Sequence, residues 1–202
     1  MIIVDSGGAN LASLQFAFER LGARAEVTAD GSTIASAERV VLPGVGAASH
    51  AMARLRAAEL TNVLRTLTQP VLGICLGMQL LFRESEEGRT PCLGLVPDTI
   101  RRLRPTPGRP VPHMGWNQLE LPHDPLESRR TDPLLDGIGL NEYAYFVHSY
   151  AAGVSEFTLA TTNYGGQLSA VVRRKNFWGT QFHPERSGRI GARLLENFLR
   201  CS

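Results

Sequence analysis

Residues 71–82 read VLGICLGMQLLF, with Cys75 between Gly73 and Gly77. A strand-like run, then G-x-C-x-G, then helix-forming residues is the thiol counterpart of the G-x-S-x-G nucleophile elbow. A nucleophile raised on so tight a turn needs neighbours without bulk, which glycine supplies. The amides that open the following helix favour the thiolate, the reactive form of cysteine. Spacing alone leaves a second reading open, a buried structural cysteine.

A thiol nucleophile needs a base, and QFHPE at 181–185 offers one. His183 follows the strand-like FWGTQF, and Pro184 stops that strand, so the imidazole should sit at a strand end facing a loop. Glu185, two residues on, could orient the ring and stabilise its imidazolium as the acid of a triad does. A third element is LPGVGA at 42–47. Its amides could form an oxyanion hole, or the loop could be a plain tight turn or a weak anion site. It lacks the Gly-Lys-Ser/Thr of a P-loop. Among the other histidines, His113 and His148 lie in the strings PHMGWN and YFVHSY, while His50 and His123 read as surface residues. No histidine pair has zincin or zinc-finger spacing, so a metal site is not expected.

These residues need a scaffold, and the first half of the chain alternates strand-like and helix-like segments. MIIVDS reads as a strand, and Leu11, Leu14, Phe18 and Leu21 then recur at helical spacing up to Gly22. AEVTA and RVVLPG read as strands, residues 47–69 as a helix, PVLGI as a strand and LGMQLLFRESE as a helix. This β-α-β order predicts a mostly parallel sheet with helices on both faces. After Cys92 the Pro-rich RPTPGRPVPH predicts a surface excursion within one domain. Then WNQLEL, AYFVHSYAA, FTLATTNY, LSAVVRRKN and FWGTQFHP predict further strands. A helix bearing Ile190, Leu194, Phe198 and Leu199 closes the chain.

The 202 residues carry a net charge of +2, with 43% hydrophobic and 20% charged residues, as in an ordinary globular protein. Charges of both signs are mixed, which points away from nucleic-acid and membrane partners. Three cysteines at unrelated spacings predict no disulfide framework. MIIVDSGGAN has neither the basic start nor the long apolar run of a signal peptide, so a cytoplasmic, reduced protein is expected.

Taken in order, PGVG, GICLGMQ and HPE resemble the class I (triad) glutamine amidotransferases. Adding LPHMGWN, YFVHSY and QFHPERSG, the chain is similar to the glutaminase subunits of imidazole glycerol phosphate synthase over nearly its whole length. The resemblance implies a single flavodoxin-like domain over residues 1–202, with the cysteine at the carboxyl end of a central strand. It implies Cys75 as nucleophile, His183 as general acid/base and Glu185 as its orienting carboxylate. Gly44, Val45 and Leu76 would serve the oxyanion; Gly46, Gln79, Ser149 and Tyr150 would hold glutamine. No cofactor is implied. The implied partner is a (β/α)₈ cyclase subunit, with Asn10, Met114, Trp116, Tyr145 and Arg186 at or near its interface. Two positions depart from the family pattern. DSGGAN has Ser6 and Ala9 where many members have Tyr and Gly, and Arg186 stands where many have Lys.

Overall fold

Ile2, Ile3 and Val4 are buried in succession, as a strand covered on both faces requires. They form β1 (Ile2–Val4) in a computed structural model that describes residues 1–6, 11–121, 132–139 and 141–201. Helix α1 (Leu11–Arg20) follows and buries Leu14 and Phe18; Leu11 and Leu21 pack at its margins. Next come β2 (Glu26–Thr28), α2 (Gly31–Ser36) and β3 (Val40–Gly44). Asp30 caps α2, its carboxylate accepting from the Thr33 amide.

The helix expected over 47–69 is two helices, α3 (Ala48–Ala57) and α4 (Leu60–Thr66). Glu59 sits between them at φ 57°, a left-handed conformation that no continuous α-helix contains. Strand β4 (Val71–Cys75) leads directly into α5 (Leu76–Leu80). That helix stops after five residues, and Phe82–Ser85 is strand β5 rather than the expected helical continuation. The run Leu80, Leu81 and Phe82 is wholly buried, a pattern whose periodicity cannot tell helix from strand.

The remaining elements are β6 (Thr90–Pro91), β7 (Val96–Arg102), β8 (His113–Gln118), β9 (Tyr143–His148), β10 (Tyr150–Ala152), β11 (Thr158–Asn163), β12 (Gln167–Arg174), β13 (Phe177–Thr180) and α6 (Gly188–Arg200). The main sheet has seven strands in the order β11-β12-β13-β4-β3-β1-β2. Its five strands from β13 to β2 are parallel, and β11 and β12 extend it antiparallel. The parallel part has the flavodoxin-like order, as expected. Side chains alternate between two cores: Val40 and Leu42 enter the one with α3 and α4, and Val41 the one with α1 and α6.

A second, four-stranded sheet (β10-β7-β5-β6) and the β8–β9 hairpin stand apart from this sheet. The Pro-rich stretch before β8 lies at the surface, as expected. Among the described residues, no helix is long and apolar enough to cross a membrane.

Candidate active site

Cys75 ends β4, the central strand of the seven, where an open α/β sheet presents its site. Its φ of 54° and ψ of −110° put a non-glycine residue in strained backbone, as the elbow geometry demands. The close approach of strand, turn and helix explains the flanking glycines. A Cβ on Gly77 would lie 1.8 Å from the Leu42 carbonyl oxygen, and one on Gly73 would lie 2.7 Å from that of Gly77.

His183 follows β13, the parallel neighbour of β4, so the two side chains leave adjacent strand ends. Pro184–Arg186 turns the chain in a 3₁₀ helix, which brings Glu185 back beneath the ring. His183 Nδ1 is 2.9 Å from Glu185 Oε1, both side chains being about nine-tenths buried. A carboxylate can only accept, so Nδ1 carries the proton and the ring presents Nε2. That Nε2 is buried with no hydrogen-bond partner. It makes no hydrogen bond to Cys75 Sγ in this geometry, yet the sulfur is near enough to act on the ring. Burial alone would push the imidazole down. Contacts with Cys75 and then Glu185 outweigh it, so the group is pushed up to about 10. Such a ring is poised as an imidazolium, a proton donor.

Cys75 and His183 share a cleft of about 340 Å³. Val45, Gly46 and Leu76 line one side of it, and Gln79, Ser149 and Tyr150 another. Gly44 pairs with Cys75 in the β3–β4 register and turns the chain into that wall. Ser6 reaches the same loop, its buried hydroxyl donating to the Pro43 carbonyl at 2.9 Å.

The cleft also contains Glu87, which the motifs did not single out. Glu87 Oε2 accepts from the Ala48 amide at 2.7 Å, closing the start of α3. No local pattern marks this residue. It follows the chain's departure from α5, which sequence periodicity misreads.

The residues expected at a partner interface gather on the outer side of the hairpin. Trp116 opposes Tyr145 and Met114 opposes Val147 in the β8–β9 register. Met114 is 67% exposed and Trp116 57%, so neither serves this chain's own core. The Arg186 guanidinium lies 4.5 Å from the Tyr145 ring. Asn10 falls outside the described residues. His113 and His148 turn inward from the same two strands and are buried. Among the described residues, no cluster of three or more His, Cys, Asp or Glu side chains could hold a metal.

Comparison with known proteins gives this geometry a family. The model of glutamine amidotransferase class-I matches residues 2–201. The chain is 52% identical over 202 residues to the imidazole glycerol phosphate synthase subunit HisH of Xanthomonas campestris pv. campestris (strain 8004), covering 100% of this chain and 98% of that one. It is 50% identical to the HisH subunit of Idiomarina loihiensis, covering 98% of this chain and 96% of the relative. In fold it is similar to a solved glutamine amidotransferase with a TM-score of 0.73 at 20% identity, covering 98% of this chain and 97% of that one. The chain belongs to the class I glutamine amidotransferases and, among them, to the HisH subunits of imidazole glycerol phosphate synthase.

Proposed function

We propose that residues 1–202 act as one glutaminase domain that hydrolyses glutamine and delivers ammonia to a (β/α)₈ cyclase subunit in the cytoplasm. One observation carries the reading: His183 is held by Glu185 through Nδ1, with a free Nε2 in the cleft that contains Cys75.

In this reading the Cys75 thiolate attacks the side-chain carbonyl carbon of glutamine, and the C=O electron pair moves to oxygen. The amides of the Gly44–Val45 segment and of Leu76, beside the sulfur, stabilise that oxyanion. The His183 imidazolium gives its Nε2 proton to the leaving nitrogen, the C–N bond breaks, and ammonia departs from a γ-glutamyl thioester. The now neutral ring takes a proton from water as its oxygen attacks the thioester. That transfer restores the imidazolium; collapse then expels the thiolate and releases the γ-carboxylic acid, which loses its proton to solvent as glutamate. Gly46, Gln79, Ser149 and Tyr150 hold the glutamine, and Glu87 supplies a carboxylate for its α-ammonium.

Ammonia in neutral water is mostly ammonium, which is not a nucleophile, so a closed route to the second site is needed. The face bearing Met114, Trp116, Tyr145 and Arg186 docks the cyclase, and an exposed tryptophan is a common interface anchor. Asn10 is assigned to the same contact. There ammonia meets a phosphoribulosyl carboxamide nucleotide, giving imidazole glycerol phosphate and an aminoimidazole carboxamide ribonucleotide. Nucleic acid, membrane and cofactor have no part in it.

The test is glutamate release from the purified chain with and without the cyclase and its nucleotide ligand. Release should be low alone, rise in the complex and vanish in Cys75→Ala. High release that ignores the cyclase would instead indicate a stand-alone γ-glutamyl hydrolase.

A further inference from the structure

His148 Nδ1 lies 2.9 Å from the carbonyl oxygen of Tyr150. A carbonyl can only accept, so Nδ1 carries the proton. Burial, with the neighbouring His113, pulls His148 down to about 3, and burial pulls His113 down to about 4. Both rings are therefore neutral at physiological pH. A neutral His148 presents a bare Nε2, and His113 Nδ1, at 3.1 Å, must donate to it. His113 Nε2 is left bare, facing the amide nitrogen of Asn117 at 3.4 Å. One backbone carbonyl thus assigns every proton of the pair. The His113 ring is also stacked between Tyr164, with centroids 3.9 Å apart, and Phe146 at 4.9 Å, so it has no room to swing.

The Tyr150 carbonyl has a second donor, Gln79 Nε2 at 2.8 Å. The same nitrogen donates to Gln181 Oε1 at 3.0 Å. Both N–H bonds of Gln79 are thereby committed, which fixes its amide orientation. With its oxygen accepting, Gln181 turns its own nitrogen to Cys75 Sγ at 3.9 Å. Gln79 and Gln181 are both buried. An N–H donated to sulfur favours its anion over its neutral thiol.

We propose that Gln181 is a further catalytic residue, donating to the sulfur of Cys75, and that His148 is the positioning residue that sets the direction of the hydrogen bonds leading to it. This rests on Cys75 being the nucleophile. The assignment also gives the inward histidines of the hairpin a task. They fix Tyr150 and Gln79, two of the residues assigned to glutamine, from strands whose outer face carries Met114 and Trp116.

The experiment follows iodoacetamide alkylation of Cys75 against pH by intact mass, together with glutamine turnover in the cyclase complex. Gln181→Met removes the donor at similar volume. It should raise the alkylation midpoint by about one pH unit and cut kcat at least tenfold. His148→Leu should shift the midpoint the same way and raise the glutamine KM about tenfold. His148→Asn, which keeps a donor near the Nδ1 position, should stay within threefold of the unaltered chain on both measures.

An unmoved profile in Gln181→Met overturns the proposal, and so do equal defects in His148→Leu and His148→Asn. If His148→Leu loses its cooperative melt, Gln181→Met decides alone. Alkylation needs no turnover, so the two readings fail separately. A responsive profile in a complex that releases no glutamate removes the glutaminase reading and leaves the hydrogen-bonded chain. Normal glutamate release with an unresponsive profile does the reverse.

Discussion

The backbone N–H of His183 donates to the carbonyl of Tyr145 at 3.0 Å. Ser187 closes the same junction, its hydroxyl donating to the His183 carbonyl at 2.7 Å and accepting from the Tyr145 N–H at 3.0 Å. The assigned base is therefore tied to β9 by three hydrogen bonds around a buried serine. Ser187→Ala leaves the Tyr145 N–H without its partner, while the His183 carbonyl keeps only the Arg186 N–H. Loss of such partners costs about 1–3 kcal/mol. Urea unfolding should show a loss of that size, and kcat in the complex should fall more than KM changes, because the ring loses its anchor while the cleft keeps its walls.

The protonation of His183 depends on its neighbours. Burial opposes the imidazolium, and Cys75 is the first of the groups that overcome it, ahead of Glu185. In Cys75→Ala the ring should titrate at least one pH unit lower, read by NMR of its nitrogens. A raised group stabilises the fold fully below its unfolded value near 6.5 and ceases to do so as pH passes about 10. The unaltered chain should therefore lose stability between pH 7 and 10 more steeply than Cys75→Ala. Equal slopes would show that the thiol does not hold the proton on the ring.

His113 and His148 predict the opposite limb. Their folded values are depressed, to about 4 and about 3, chiefly by burial. Their contribution is complete above pH 6.5. It is lost as pH falls through that value towards the folded ones, because the unfolded chain binds protons that the folded chain refuses. Stability measured by urea should drop steadily from pH 6.5 to pH 4. His148→Asn should make that drop shallower by about one proton's worth of slope.

Trp116 offers a test of the docking face. It is more than half exposed and opposes Tyr145, with ring centroids 6.1 Å apart. Trp116→Ala should weaken cyclase binding by about 2 kcal/mol, roughly thirtyfold in Kd. Thermal stability of the free chain should barely change. An unchanged Kd in calorimetric titration would remove this surface from the interface.

What the sequence disclosed and what it hid follow from how local each signal is. Cys75, His183 and Glu185 were legible as a candidate set because the elbow and the strand end each compress their pattern into a few consecutive residues. The parallel sheet was legible because buried strands read as short apolar runs. Phe82–Ser85 was not, because the apolar run Leu80–Phe82 crosses from a five-residue helix into a strand whose next residues, Arg83 and Glu84, are charged and exposed. The break at Glu59 was hidden because apolar spacing continues across it while the backbone does not. Glu87 and the His113–His148 pair depend on the folding of distant segments onto one cleft and one hairpin. His148 stood out only as part of an unusual string.

Strand β9 carries a further consequence. The carbonyl of Tyr145 accepts from His183, and the carbonyl of Val147, two residues on, lies 3.8 Å from Cys75 Sγ, able to accept from its thiol. The side chains of the same two residues point outward beside Met114 and Trp116. One strand thus carries, along its backbone, the carbonyls that meet both Cys75 and His183 and, on its outer face, side chains that stand beside Met114 and Trp116.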